Sequence, residues 1–264
     1  MPLLALILAA LAGAVTQPAT RPAEPLNLLF FGNSFTMQDD VAGKVALLAE
    51  ADGHARPNVV ADLSGGKDLD YHRGEVAANP QDNVAALPDG ATWDVVVVQG
   101  YSTEATEVAN SHGEFAADAV ALVEAVHASG KGASARPVLY QTWARHAEHE
   151  FYPDRWPSPA AMQADVRGGY EAAQAEIDEA IIAPVGDAFG LLAFDRALYD
   201  DDRYHASVEG SLLASLVVYC TIYDEDVGDI AYADVEAFAG VSEERWDVLV
   251  AAADSVASDR ARSE

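Results

Sequence analysis

Lysine is almost missing from this chain: Lys44, Lys67 and Lys131 are three of only 15 basic residues, set against 43 Asp and Glu in 264 positions. The formal net charge is -28, and a surface that negative repels phosphate backbones and anionic membrane faces. The composition therefore argues against nucleic acid as a partner. A carboxylate-rich, low-lysine surface also suits high salt, where screening removes self-repulsion, so a saline habitat is expected. Cysteine is equally scarce. Cys220 stands alone in the apolar stretch 211–223, which excludes an intrachain disulfide and a cysteine-based metal site, and it reads as a small buried hydrophobe. No P-loop, dinucleotide glycine fingerprint or kinase motif set appears, which disfavours nucleotide chemistry. What remains is globular composition, 50% hydrophobic and 22% charged, long enough for one core of roughly 250 residues.

Apolar runs stay short. Residues 2–14 (PLLALILAALAGA) fall below the roughly 20 residues that span a bilayer and end in the small triplet Ala12-Gly13-Ala14. No stable membrane insertion is expected. The run resembles a signal-peptide core, although a basic residue ahead of it is missing, so residues 1–19 are read as a signal peptide and the start of a linker, and a secreted or periplasmic location follows. The Pro/Ala/Thr-rich VTQPATRPAEP leads into a single domain over 26–264.

Within that domain, strand-length apolar runs alternate with helical patterns. Strands are expected at 26–31, 58–63, 93–99, 137–143 and 181–185, with helices near 40–54, 114–128, 158–180, 208–223 and 242–257. Strands apolar on both faces and separated by helices predict a parallel, flavodoxin-like five-stranded sheet in a three-layer α/β/α sandwich. Such sheets place their chemistry just beyond the carboxyl ends of the strands.

Those loops hold the candidate residues. Gly100-Tyr101-Ser102-Thr103-Glu104 begins like a G-x-S-x-G nucleophile elbow, but Glu104 stands where the closing glycine is needed. Gly32-Asn33-Ser34 follows the first strand and precedes a helix, where a serine hydroxyl is exposed and backbone N–H groups can receive an oxyanion. Alone, that tripeptide reads as a mere turn. Asp202-Arg203-Tyr204-His205 sets an acid three residues before a histidine, a spacing that lets the carboxylate hold Nδ1 while Nε2 acts as a base, though YDDDRYH also reads as a solvated acidic loop. His146 and His149, with Asp154 nearby, have the i, i+3 spacing of metal ligands but not the H-E-x-x-H pattern, and a solvated or pocket-rim role is favoured. Trp143, at the end of the fourth strand, suits either a substrate-pocket wall or core packing.

Taken in order, these blocks resemble the SGNH (GDSL-like) hydrolase family, and the likeness runs from Leu26 to about Tyr223. FFGNSFT at 30–36 is similar to the family's first block, with Ser34 as nucleophile and Asn33 in place of the more usual Asp. SGGKDLDYH at 64–72 matches the second, where Gly66 (or Gly65) would be the oxyanion glycine. DRYH matches the last, giving Asp202 and His205 as acid and base. The third block departs: VVVVQGYS lacks the Asn of G-x-N-D and is more similar to the Q-G-E-S version of sugar acetylesterase relatives. That makes Gln99 the expected third oxyanion donor, with Ser102 as the alternative.

The resemblance implies a serine esterase that removes a small acyl group, acetyl from a neutral carbohydrate being the leading case, with no cofactor and no metal. Catalytic roles go to Ser34, Asp202 and His205, the oxyanion hole to Ser34, Gly66 and Gln99, and substrate contact to Asn33 and Trp143. The alternatives are a non-catalytic carbohydrate-binding relative, a lipase or lysophospholipase, and a metal-dependent hydrolase built on His146 and His149.

Overall fold

The structure, a computed structural model, describes residues 24–78, 87 and 90–261. The signal-peptide reading of 1–19 lies outside them. Five strands form one parallel sheet: β1 (Asn27–Gly32), β2 (Asn58–Leu63), β3 (Val95–Val98), β4 (Arg136–Tyr140) and β5 (Ile181–Ala183). They stand in the order β2-β1-β3-β4-β5, the flavodoxin-like arrangement in which the order of strands reverses between β1 and β3 while all run parallel. Each central strand is buried on both faces, which is why VVVV and LLFF read as unbroken apolar runs.

Alternation along β1 divides the core. Leu28 and Phe30 face one side, with α2 (Val41–Ala51), α6 (Val185–Leu191), α7 (Val208–Tyr223), α8 (Tyr232–Ala239) and α9 (Glu243–Ala261). Leu29 and Phe31 face the other, with α3 (Leu69–Ala78), α4 (His112–Ala128) and α5 (Pro159–Glu176). The layers are thus α/β/α. Helix α7 is the most enclosed, with 13 of its 16 residues buried, Cys220 among them. Among the described residues no helix is long and apolar enough to cross a membrane.

Two expected strand ends shift by more than one residue. The fourth strand stops at Tyr140 rather than Trp143, because pairing with β5 ends where Gln141 N–H donates to Ala183 and the chain then turns out of the sheet. Val185 opens α6 instead of closing β5. Both changes sit at the carboxyl edge, where the site is built.

Candidate active site

β1 ends in Gly32, and the next residue caps a one-turn helix, α1 (Ser34–Met37). Asn33 Oδ1 accepts from Phe35 N–H at 3.2 Å, while Thr36 and Met37 N–H donate to the Asn33 carbonyl. Ser34 is thereby fixed at the first helical position, half-buried, with its hydroxyl facing the loop before α7. A Cβ on Gly32 would stand 2.7 Å from Gln99 Oε1 and 2.8 Å from Thr36 Oγ1, so only glycine lets the chain turn there. Buried His72 braces the same point by donating from Nε2 to the Gly32 carbonyl at 2.9 Å.

The partner loop closes on itself. Tyr199 and Ala206 form an antiparallel bridge, Asp200 N–H donates to the His205 carbonyl, and Ser207 caps α7. Inside it, Asp202 Oδ1 accepts the N–H groups of Tyr204 and His205, both at 3.0 Å, a local turn that a short carboxylate favours. Its other oxygen lies 2.6 Å from His205 Nδ1, and His205 Nε2 lies 2.8 Å from Ser34 Oγ. One proton arrangement satisfies this line: Nδ1–H donates to Asp202 and Nε2 accepts from the serine hydroxyl. Burial pushes the Asp202 pKa up, but the Tyr204 N–H and the bonds from His205 outweigh it and leave the carboxyl below its usual range. It is therefore ionised at neutral pH, fit to stabilise a positive imidazolium.

The residues expected around this line divide. Gly66 has a φ of +71°, which suits glycine, and it lies exposed in a tight turn where Lys67 N–H donates to Ser64. Asn33 straps that turn to the Ser34 loop. Its amide nitrogen donates to Lys67 O at 3.0 Å and to Gly100 O at 3.2 Å, so both hydrogens are used and the side chain is buried; a carboxylate in its place could donate neither bond. This corrects the substrate-contact role for Asn33. Gln99 is corrected as well: its Oε1 accepts from Asn33 N–H and Thr36 Oγ1, its amide nitrogen donates to Gly100 O, and the side chain is 1% exposed. It ties strand ends together. Trp143 is no pocket wall either. It lies stacked between Phe35 and Phe189, at 4.3 and 4.7 Å, with Nε1–H donating to Tyr204 O at 2.9 Å.

No protein-family model matches this chain, and no curated protein matches it. Among solved structures it is similar to a protein assigned as an SGNH hydrolase from Slackia heliotrinireducens, 28% identical over 75% of this chain and all of that one, with a TM-score of 0.59. The chain is similar to SGNH hydrolases. A DUF4886 family protein from Bacteroides uniformis (18% identical, 87% of this chain and 93% of that one, TM-score 0.65) shares the fold. So does an acetyl xylan esterase from Geobacillus stearothermophilus (15% identical, 75% and 94% covered, TM-score 0.52).

Other clusters in this chain are accounted for by protein contacts. His146 and His149 sit on a turn rather than one helix face, and the first accepts from Glu148 N–H while the second accepts from Phe151 N–H and faces Arg145. Asp52, His54 and Glu225 gather at the opposite end of the sheet, where His54 faces Glu225 at 3.0 Å and Tyr219 donates to Asp52. A cavity of about 670 Å³, lined by Gln163, Arg167, Asp187 and Leu191 among others, lies between α5, α6 and α9 and includes neither Ser34 nor His205.

Glu104, the residue that breaks the elbow pattern in the third loop, clasps two loops. Its carboxylate accepts from Leu69 N–H at 3.1 Å and from Tyr101 N–H at 2.6 Å, joining the segment after Gly66 to the segment after β3. Burial pushes its pKa up to about 7, against the lowering pull of those two N–H groups and with the help of Asp68 and Asp118. Because the folded form binds its proton more tightly than the unfolded one, its contribution to stability is lost as pH rises from about 4.5 through 7. The melting temperature of the wild type relative to Glu104→Gln should therefore fall between pH 5 and pH 8. A difference that stays flat with pH rejects this assignment.

Proposed function

We propose that this chain is a serine esterase that hydrolyses a small acyl ester, with Ser34 as nucleophile, His205 as general base and Asp202 as its orienting anion. The hydrogen-bonded line from Asp202 through His205 to the Ser34 hydroxyl carries the reading. His205 takes the serine proton as Ser34 Oγ attacks the ester carbonyl, and the backbone N–H groups of Ser34 and Gly66 receive the oxyanion. The imidazolium then returns its proton to the departing alcohol. Water, deprotonated in turn by His205, cleaves the acyl-serine and restores the site.

Deacetylation of a neutral carbohydrate is the favoured case. An acetyl xylan esterase shares the fold, and the aromatic face of Tyr101, 39% exposed, suits the apolar face of a sugar. A net charge of -28 works against polyanionic substrates at low salt. Export on the strength of residues 1–19 belongs to the same proposal, and N-terminal sequencing of protein recovered outside the cell tests it.

A fluorophosphonate probe, which reacts with activated serines, should label the wild type at Ser34 and leave Ser34→Ala unlabelled. Absence of labelling, together with no hydrolysis of nitrophenyl acetate, would sink the esterase reading and leave a carbohydrate-binding relative of the fold.

A further inference from the structure

We infer that the cavity between α5, α6 and α9 is a second binding site, for a neutral, hydroxyl-rich ligand of short-oligosaccharide size. The inference does not rest on the esterase reading, since the cavity includes neither Ser34 nor His205. At about 670 Å³ it falls within the roughly 300–1,000 Å³ of small-molecule sites. Its most buried lining is a pair of amides. Gln163 uses both ends: Oε1 accepts from Ala144 N–H at 2.8 Å, and Nε2 donates to Gln141 Oε1 at 3.2 Å and to Thr142 O at 3.4 Å. Gln141 does not. Its Oε1 also accepts from Asp187 N–H at 3.1 Å, and because a backbone N–H only donates, this fixes which end of the amide is oxygen. The nitrogen, on a residue 1% exposed, has no acceptor among the described residues. Yet it is not sealed from solvent, and what the residue borders is the cavity. A buried donor left unmet is costly, and a ligand that brings an acceptor removes that cost.

The walls offer both kinds of hydrogen-bonding group. Arg167 gives Nε and Nη2 to Asp187, which neutralises the pair and leaves Nη1 without an acceptor among the described residues. One turn further along α5 the same face presents Glu171, exposed and without a hydrogen bond or ion pair among the described residues. A turn beyond it stands Gln174, whose Nε2 goes to Ala180 O at 3.0 Å and whose oxygen has no donor among the described residues. A ligand that satisfies all four must accept at Gln141 and Arg167 and donate at Glu171 and Gln174. A carboxylate or phosphate only accepts and is repelled by Glu171, while an ammonium only donates and leaves Gln141 unmet. A hydroxyl does both. The apolar part of the lining, which includes Ile182, Leu191 and the half-buried ring of Phe194, suits the C–H face of a sugar ring.

Isothermal titration calorimetry of the full chain with xylotriose tests this, with the trimers of galacturonic acid and of glucosamine as anionic and cationic probes. Xylotriose is expected to bind with a Kd of about 1 mM or below, and more tightly than either charged trimer. Gly190 lies on the α6 wall, where an added Cβ meets only Phe194 ring atoms, at 3.5 and 4.0 Å, so Gly190→Leu fills the cavity without a clash at Cβ. It should weaken xylotriose by at least about tenfold. Glu171→Ala removes one acceptor and should weaken it by about 3- to 10-fold, whereas Glu171→Gln keeps an oxygen, drops the charge and should stay within about twofold. The two Glu171 variants, at an exposed position, decide the matter if Gly190→Leu fails to fold. No binding of xylotriose, tighter binding of a charged trimer, or unchanged binding in Gly190→Leu or Glu171→Ala overturns the inference. Nitrophenyl acetate hydrolysis by the same wild-type protein keeps the two readings apart. If it is absent while xylotriose binds and Gly190→Leu abolishes that binding, the esterase reading falls and this site stands.

Discussion

Ser34→Ala and His205→Ala should each lower kcat for nitrophenyl acetate by at least about 10⁴-fold, and the double variant should be no slower than the worse of the two. The non-additivity is the sharper half. If Nε2 receives the serine proton across 2.8 Å, the nucleophile without its base and the base without its nucleophile are equally idle, so the second substitution removes nothing further. A 10⁴-fold loss corresponds to about 5.5 kcal/mol of barrier, well beyond what a side chain near the site could cost through altered packing or binding alone. KM should move little, because Ser34→Ala deletes one oxygen at a half-buried position and leaves the loops that meet the substrate untouched. Losses that multiply in the double variant, or a Ser34→Ala enzyme within tenfold of wild type, would show that the two residues do not act as a unit.

The histidine half of that line was readable because its geometry is local. Asp202 and His205 are three apart, and the turn that joins them is made by Asp202 holding the next N–H groups of its own chain. The strands were readable for a similar reason: a strand buried on both faces announces itself as an apolar run, as Val95–Val98 does. What could not be read is how the loops spend their polar groups on one another. Asn33 and Gln99 are 66 positions apart, yet the first donates its N–H to the second and both reach Gly100, so each looks like a free amide in sequence and is tied to the neighbouring loop in space. Glu104 reads as a broken motif until Leu69, 35 residues earlier, is seen to be its partner. Arg145 Nη2 donates to Ser102 Oγ at 3.2 Å, yet the two residues share neither a spacing nor a recognisable pattern, and only the turn of the chain after β4 joins them.

Trp143→Ala should destabilise the fold by about 3–5 kcal/mol, the usual cost of emptying a large aromatic site in a core. The ring is 1% exposed and lies nearly parallel to Phe35 on one side and Phe189 on the other, at interplanar angles of 8° and 4°, so its removal leaves a slot that neither neighbour can fill without tilting. For a domain of this size the loss amounts to roughly 6–20 °C in melting temperature, at about 2–4 °C per kcal/mol. Trp143→Phe separates the two contributions: it keeps a stacking ring but leaves the Tyr204 carbonyl without its indole donor, and should cost about 1–3 kcal/mol. The same pair of variants decides between a core role and a substrate-facing one. A wall of the acyl pocket would change KM or the preference between acetyl and longer esters, whereas a core residue should leave both unchanged in whatever fraction remains folded. Phe35 directly follows the nucleophile and rests on this ring, so the expected residual effect is a modest drop in kcat from a loosened Ser34. A change in acyl preference with unchanged melting temperature would place Trp143 at the substrate after all.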